Sequence, residues 1–203
     1  MNKIWGYWTY WGSLINFKKK YEIAIDHKNT YVYCANHSSY MDIPTLFLAI
    51  PGYFTILGKS SLGQVPLFGY MFKRLYIIVN RKTSEGRYKA YTDALEAIDN
   101  KKSVVFFPEG TIPKPELNPK MGKFKDGPFK VAIEKQIPII PITIPYNWII
   151  LPDAAKNTRV HRHKCELIFH KPIETTGMTM KDIESLKTSV YDIIDNKIKL
   201  LNK

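Results

Sequence analysis

Residues 75–107, LYIIVNRKTSEGRYKAYTDALEAIDNKKSVVFF, predict a strand, a helix and a second strand in succession. Leu75–Val79 is rich in β-branched residues, and Ser103–Phe107 is apolar after its first residue. Both faces of such strands are apolar, which is typical of a sheet covered by helices on both sides. Ser84–Asn100, between them, has the length and composition of a helix. A helix that joins two buried strands predicts an α/β fold with largely parallel strands.

The same alternation of strands and helices extends along the chain in both directions. Further strands are expected at Tyr21–Ile25, Tyr31–Ala35, Tyr53–Leu57, Ile139–Ile144 and Cys165–His170. Further helices are expected at Asp42–Ile50, Ser60–Phe72, Pro128–Lys135 and Asp182–Leu200. The 203 residues suffice for one domain of this kind. We therefore expect a single α/β domain over residues 21–203, with a mixed, largely parallel sheet flanked by helices.

The composition is basic. Lys plus Arg number 30 and Asp plus Glu number 18, so the net charge is +12. A field of this sign favours an anionic partner, which is a nucleic acid, an acidic membrane surface or a phosphorylated substrate. The ordinary shares of hydrophobic (45%) and charged (24%) residues exclude a disordered chain, a collagen and a coiled coil. The two cysteines, Cys34 and Cys165, do not make a disulfide framework and indicate a reducing compartment.

The first twenty residues differ from the rest in composition. Residues 4–17 are expected to form a helix that carries three of the four tryptophans at three-residue spacing, and Lys18–Lys20 follow. Such a segment either caps the core or lies at a membrane surface, because Trp favours the headgroup level and Lys favours anionic lipid. We therefore separate residues 1–20, as an aromatic and basic helix, from the rest of the chain.

A His and an Asp follow the second predicted strand, in residues 36–42, NHSSYMD. The carboxyl ends of strands are where α/β proteins place their sites. His37 and Asp42 would lie about 140° apart on a continuous helix, so they meet only if the segment turns. If it turns, the Asp42 carboxylate accepts from one imidazole nitrogen and leaves the other as a general base. The simpler alternative is a loop histidine beside an N-capping aspartate.

Two other apolar strands end in polar residues. Phe106–Phe107 is followed by Pro-Glu-Gly-Thr, in which Gly110 allows a close backbone approach and Glu109 can bind a hydroxyl or orient a cation. Leu75–Val79 is followed by Asn-Arg-Lys, and the planar guanidinium of Arg81 suits a phosphate. Each feature alone is equally typical of an ordinary turn or a solvated strand end.

Together these segments resemble the lysophospholipid acyltransferase family, whose best-known members are the 1-acylglycerol-3-phosphate O-acyltransferases. NHSSYMD resembles the family's NHxxxxD catalytic block, and GYMFKRLYIIVNR resembles the second block, which ends in an acceptor-binding Arg. FFPEGT resembles the third block, and IPIIPITI resembles the fourth, an apolar strand with prolines. GKFKDG, residues 122–127, is similar to the family's FKxG stretch. The resemblance covers residues 30–151 with the blocks in the family's order, which is more specific than any one block.

The resemblance implies a catalytic role for His37 and Asp42. His37 takes the proton from the free hydroxyl of a lysophospholipid, foremost 1-acylglycerol 3-phosphate. That oxygen attacks the thioester of acyl-CoA or acyl-carrier protein, and phosphatidic acid is the product. The resemblance implies no metal and no other cofactor, and it implies association with an anionic membrane surface at the cytoplasmic face.

The same resemblance assigns an acceptor site. The residues that we expect there are Lys59, Arg81, Glu109, Gly110 and Thr111. The family's third block often continues with Thr-Arg, but Ile112 stands at the position of that Arg. We therefore expect phosphate binding to depend more on Arg81, with Lys59 or Lys114 in support.

Several alternatives remain open at this level. The same chemistry can act on glycerol 3-phosphate, another lysolipid or an aminolipid, or the chain can be a non-catalytic basic module that binds lipid. A nucleic acid is not expected, because no RNA-binding aromatic signature or helix-turn-helix pattern is present. His161, His163 and Cys165 would share one face of a strand, but a fourth ligand is missing, so we expect no metal site.

Overall fold

The strands are Phe17–Tyr21 (β1), Val32–Ala35 (β2), Phe54–Lys59 (β3), Tyr76–Val79 (β4), Ser103–Phe106 (β5), Ile139–Thr143 (β6) and Cys165–Phe169 (β7). The helices are Asp42–Ala49 (α1), Ser84–Asp99 (α2), Gly127–Lys135 (α3), Asn147–Ile150 (α4) and Ile183–Leu201 (α5), and a 3₁₀ turn at Met180–Asp182 precedes α5. These bounds come from a computed structural model, which describes residues 16–26, 28–59, 76–80, 82–114, 119–152 and 159–203.

The seven strands form one sheet in the order β1-β7-β6-β2-β5-β3-β4. The five strands from β6 to β4 run parallel to one another. β7 is antiparallel to β6, and β1 is parallel to β7. The expected mixed, largely parallel sheet is therefore confirmed. The five parallel strands end at one edge, which we call the carboxyl edge, and β7 and β1 begin at that same edge.

Helices cover both faces of the sheet, which explains why its central strands are apolar throughout. On one face, α2, α3 and α5 bury a cluster that includes Phe129 and Val32. On the other face, α1 buries a cluster that includes Leu46 and Tyr33. Fully burying an aliphatic or Phe side chain stabilises a fold by about 1.5–3 kcal/mol. These two layers therefore hold the strand ends, and the loops that follow them, in fixed positions.

Most predicted strands and helices are confirmed to within two residues at each end, but the amino-terminal prediction is wrong where it can be compared. Residues 17–20 lie in β1 and not in a helix, and the strand predicted at Tyr21–Ile25 overlaps β1 only at Tyr21. The ring of Tyr21 stacks on Phe169 with centroids 4.6 Å apart. The strand conformation of residues 17–21 is set by their pairing with β7. β1 is an edge strand, and lysines are common on edge strands because they face solvent and discourage pairing with another chain. The rest of the aromatic helix and the helix predicted at 60–72 lie outside the described residues.

Candidate active site

The turn that follows β2 brings His37 and Asp42 together. β2 ends at Ala35, α1 begins at Asp42, and the chain reverses direction between them. His37 Nδ1 lies 2.9 Å from Asp42 Oδ2. The side chain of Asp42 is fully buried, whereas that of His37 retains 14% exposure. A neutral imidazole that donates its Nδ1 proton to a carboxylate has an unprotonated Nε2, which is the condition for a general base.

The Asp42 carboxylate is held by backbone donors as well as by the imidazole. Oδ2 accepts the backbone N–H groups of Ser38 at 2.7 Å and Ser39 at 2.9 Å. Oδ1 accepts from Nδ2 of Asn147 at 2.9 Å. A buried carboxylate with this many donors stays in one orientation, because turning it leaves polar groups unpaired away from water. Asp42 is therefore a rigid partner for the ring of His37.

Glu109 acts on the main chain of the same turn. Its Oε1 accepts the backbone N–H of His37 at 2.8 Å, and its Oε2 accepts the backbone N–H of Gly122 at 2.6 Å. Glu109 is only 5% exposed. Burial raises its pKa to about 7; the two backbone N–H groups oppose that rise, and the charge of Asp42 adds to it. Both carboxylate oxygens are thus engaged in positioning backbone.

An aromatic ring and an amide complete the support of the turn. The imidazole of His37 stacks on Phe107, with ring centroids 3.9 Å apart and planes at 19°. Asn36 donates from Nδ2 to the carbonyl of Ile144 at 2.9 Å and accepts the backbone N–H of Ile144 at 2.7 Å. The ends of β2, β5 and β6 are therefore linked directly around His37. One face of the imidazole is covered by Phe107, which restricts substrate to the remaining directions.

A cavity of about 430 Å³ opens beside this turn, between the sheet and helices α2 and α3. Its apolar lining includes Leu57, Val79, Ala90, Phe106, Phe107 and Val131. Two cations, Arg87 and Lys125, and the backbone of Gly110 also line it. Gly110 has φ +76°, and a Cβ there would lie 2.7 Å from Lys125 Nζ. The left-handed backbone conformation therefore favours glycine at position 110, and the end of the Lys125 side chain packs against it.

The other predicted acceptor residues are less well placed by the structure. Thr111 and Lys114 are exposed on the loop after Gly110. Lys59 is the last residue of β3, and its side chain lies outside the described part of the structure, as does all of Arg81. Their roles at the acceptor stay predictions.

The three alternating metal-ligand candidates do not converge. Cys165 is buried and donates to Oδ1 of Asn147 at 3.2 Å, whereas His161 and His163 face solvent to different extents. Among the described residues, no group of three His, Cys, Asp or Glu side chains is arranged to hold a metal ion.

Five residues of the site were not identified as functional from the sequence: Arg87, Phe107, Gly122, Lys125 and Asn147. Arg87 lies in α2, outside the motif blocks. Phe107 lies within the quoted FFPEGT segment, and Gly122 and Lys125 lie within GKFKDG. The motif blocks therefore marked their locations without assigning their roles. Asn147 belongs to no block and follows the fourth, so nothing in the local sequence indicated it.

A His–Asp pair that follows a buried strand, beside an apolar cavity with cations, is the arrangement expected of an α/β enzyme with a general base. Residues 16–145 match the family model described as Acyltransferase. The chain therefore belongs to the acyltransferase family, as the four sequence blocks predicted.

Individual relatives agree with this assignment. The chain is 29% identical over 143 residues to a chloroplastic 1-acyl-sn-glycerol-3-phosphate acyltransferase of Brassica napus, which covers 70% of the chain and 40% of the relative. It is 27% identical to a 1-acyl-sn-glycerol-3-phosphate acyltransferase of Haemophilus influenzae, over 94% of the chain and 78% of the relative. The chain thus spans about two fifths of the length of the plant relative.

The fold also matches a solved structure, the 1-acyl-sn-glycerophosphate acyltransferase of Thermotoga maritima. The TM-score is 0.81, and the match covers 99% of this chain and 78% of that one, with 21% sequence identity. At this identity the match confirms the α/β fold.

Proposed function

We propose that this protein transfers a fatty acyl group from an acyl thioester to the free hydroxyl of 1-acylglycerol 3-phosphate, which gives phosphatidic acid. The observation that carries the proposal is the 2.9 Å contact between His37 Nδ1 and the buried Asp42 carboxylate. It leaves Nε2 to act as the base, on a side chain that retains 14% exposure. The names of the relatives in Brassica and Haemophilus support the same acceptor.

The proposed reaction is a direct transfer. Nε2 of His37 takes the proton of the acceptor hydroxyl as its oxygen attacks the thioester carbonyl, and Asp42 stabilises the imidazolium that forms. The tetrahedral intermediate collapses, the C–S bond breaks, and the imidazolium returns the proton to the leaving thiolate. The proposed donors are acyl-CoA and acyl-carrier protein. This route uses no acyl-enzyme, metal or other cofactor.

The cavity beside Phe107 supports a lysophospholipid acceptor. Its lining is mostly apolar, and Arg87 and Lys125 add positive charge. Its volume of about 430 Å³ falls within the usual range of about 300–1,000 Å³ for small-molecule sites. An amphiphile with a hydrocarbon chain and a phosphate matches this combination. We propose that Lys125, which lies against Gly110, takes part of the phosphate-binding role that Ile112 cannot fill.

We further propose that the carboxyl edge faces a membrane at the cytoplasmic side. Residues 159–164 precede β7 and so lie at this edge, and the backbone N–H of His161 donates to Ile150 of α4 at 2.7 Å. Arg159, Val160 and Arg162 are exposed on this segment, and Tyr40 is exposed in the catalytic turn. Apolar and cationic side chains side by side suit an anionic lipid surface.

Lys20, which was expected to contact lipid, and Lys164 of the segment before β7 have other partners. Lys20 forms an ion pair with Glu166 at 2.7 Å. Lys164 lies over the ring of Tyr146 at 4.2 Å. In the part of the chain that the structure describes, no helix combines the length and apolarity needed to cross a bilayer.

Mass spectrometry of lipids tests the proposed function. The purified protein is incubated with palmitoyl-CoA or palmitoyl-acyl-carrier protein and a panel of acceptors: 1-acylglycerol 3-phosphate, glycerol 3-phosphate, lysophosphatidylcholine and an aminolipid. We expect phosphatidic acid with the wild type and a rate lower by roughly 10²- to 10⁴-fold with His37→Ala. Acylation of another panel member alone would replace the proposed acceptor, and no acylation with any of them would favour the non-catalytic lipid-binding module.

A further inference from the structure

A buried asparagine stands behind the His37–Asp42 pair. Asn147, the first residue of α4, has no exposed surface. Its Nδ2 lies 2.9 Å from Asp42 Oδ1 and 3.0 Å from Thr45 Oγ1. Its Oδ1 lies 3.2 Å from Cys165 Sγ. The amide therefore connects α4, α1 and β7 at the carboxyl edge.

The orientation of this amide follows from its neighbours. The hydroxyl of Thr45 donates its proton to the carbonyl of Met41 at 2.6 Å. Thr45 Oγ1 can therefore only accept a hydrogen bond from Asn147. A carboxylate is also an acceptor, so Asp42 and Thr45 both require the N–H₂ side of the amide. The thiol of Cys165 then supplies a donor for Oδ1. Every hydrogen-bonding position around Asn147 thus specifies an amide, and neither an acid nor a hydroxyl provides two donors and an acceptor in this arrangement.

The two oxygens of Asp42 are not supported equally. Oδ2 accepts from the imidazole and from two backbone N–H groups. For Oδ1, Asn147 is the one donor among the described residues. Without Asn147, Oδ1 of the buried carboxylate has no hydrogen bond. Rotation of the carboxylate towards another donor then becomes favourable, and this rotation breaks the geometry that fixes the imidazole.

We propose that Asn147 is a positioning residue for the reaction: by holding Asp42 it keeps His37 in the tautomer with Nε2 unprotonated. The inference rests on the proposed function for its kinetic consequences, but its structural consequence, the protonation site of His37, does not depend on any substrate.

The kinetic test compares Asn147→Leu with Ile150→Ala. Leu has the same number and branching of side-chain heavy atoms as Asn, and it removes the donor. Ile150 lies on the same helix, is fully buried together with Met41 and Cys165, and has no hydrogen-bonding side chain, so Ile150→Ala is a control for lost packing. We expect Asn147→Leu to lower kcat by roughly 10- to 100-fold, the equivalent of one hydrogen bond to a charged group, with little change in KM. Ile150→Ala should lower stability and leave kcat per folded molecule near the wild-type value.

Combination with His37→Ala separates a positioning role from a general weakening of the fold. If Asn147 acts through the imidazole, Asn147→Leu has little further effect once that imidazole is absent, because residues that act as a unit are strongly non-additive. A full 10- to 100-fold loss in the His37→Ala background would overturn the inference.

A second measurement needs no substrate. Nitrogen-15 NMR of histidine-labelled protein distinguishes an imidazole protonated at Nδ1 from one protonated at Nε2. We expect His37 of the wild type to carry its neutral-state proton on Nδ1, and Asn147→Leu to shift it towards a mixture of tautomers, while Ile150→Ala does not. If the wild type acylates no acceptor, the proposed function fails and this spectrum still decides the role of Asn147. An unchanged His37 spectrum in folded Asn147→Leu overturns the inference whatever the activity.

Discussion

Glu109 binds the backbone N–H of His37 at 2.8 Å and makes no hydrogen bond to its ring. The ring is fixed separately by Asp42, at 2.9 Å. Main chain and side chain of the same residue are thus held by two different buried carboxylates, one at the end of β5 and the other at the start of α1. The second oxygen of Glu109 extends this support to Gly122.

Replacement of Glu109 by Gln is expected to impair catalysis through the position of His37. The amide of Gln keeps one oxygen that can accept from one of the two backbone N–H groups, of His37 or Gly122. Its N–H₂ group faces the other backbone N–H, so two donors meet and that N–H loses its hydrogen bond. We expect kcat to fall roughly 10- to 100-fold, the range for losing one charge-assisted hydrogen bond, with a smaller change in the KM of the acceptor. If instead Glu109 mainly contacts the acceptor, the KM will rise and kcat will change little.

The same variant tests the ionisation of Glu109. Its pKa is raised to about 7 in the folded protein, chiefly by burial, against 4.5 for an ordinary carboxyl. Between these values the folded state binds a proton that the unfolded state has released, so stability falls as the pH rises from 4.5 to 7. The difference corresponds to about 3 kcal/mol in the free energy of unfolding.

Urea titrations at pH 4.5, 5.5 and 7 measure this dependence as the difference between wild type and Glu109→Gln. His170 contributes the opposite slope, because burial lowers its pKa, but it is present in both proteins and cancels. If the difference in free energy of unfolding between the two proteins stays constant from pH 4.5 to 7, the raised pKa of Glu109 is contradicted.

The reaction itself is expected to depend on His37 and Asp42 in different ways. His37→Ala removes the base, so kcat should fall roughly 10²- to 10⁴-fold. Asp42→Asn keeps the shape but presents an amide to Nδ1, which favours the wrong tautomer, and we expect a loss in a similar range. Initial rates of thiol release report both. Near-normal turnover by a folded His37→Ala variant would exclude the proposed mechanism.

The sequence predicted the elements with continuous apolar runs and the site residues that follow them. β2, β5 and β6 were identifiable because each is buried on both faces, and His37 was identifiable because it ends such a strand. β1 was missed because its lysines carry no strand pattern and its conformation depends on β7, more than 140 residues away. Long-range pairing of this kind leaves no local signal.

The same limit applies within the site. Glu109 was singled out as a polar residue at a strand end, but only the structure shows that it binds backbone. Asn147 contacts Asp42 across a separation of 105 residues. Local sequence reports which residue types are available at the carboxyl edge, whereas their pairing depends on how the parallel strands are ordered.

Lys125 is expected to contribute to acceptor binding. Its Nζ lies against Gly110 at the cavity, whereas Lys123, two residues earlier, is exposed and does not line that cavity. An exposed cation that binds a phosphate contributes about 1–2 kcal/mol. Lys125→Met should therefore raise the KM for 1-acylglycerol 3-phosphate roughly 5- to 30-fold without affecting the KM for the acyl donor.

Two controls make this prediction specific to the phosphate. Lys123→Met has the same change in charge and should leave both KM values unchanged. Any slow transfer to monoacylglycerol, which has no phosphate, should be equally fast in Lys125→Met and wild type. Equal effects of the two lysine variants would indicate that only the net charge matters.

The last prediction concerns the membrane. Arg159, Val160 and Arg162 are exposed at the carboxyl edge, next to the turn that carries His37. Each cation near an anionic surface contributes about 1 kcal/mol, so Arg159→Gln with Arg162→Gln should weaken binding to vesicles of 30% phosphatidylglycerol by roughly 30-fold. The lost part should be the part that salt weakens, because screening acts on charges and not on apolar contacts.

Lys101 and Lys102 provide the matched control. Both are exposed and both precede β5, so they lie at the opposite edge of the sheet. Their replacement by Gln removes the same charge, and we expect at most a small loss of vesicle binding. Val160→Ser should instead reduce the salt-resistant part of the affinity, to which the aromatic segment of residues 4–17 is also expected to contribute. Co-sedimentation over a series of salt concentrations measures all three variants. If the two double variants lose affinity equally, the charge of the whole protein attracts lipid, and the carboxyl edge has no particular role in docking.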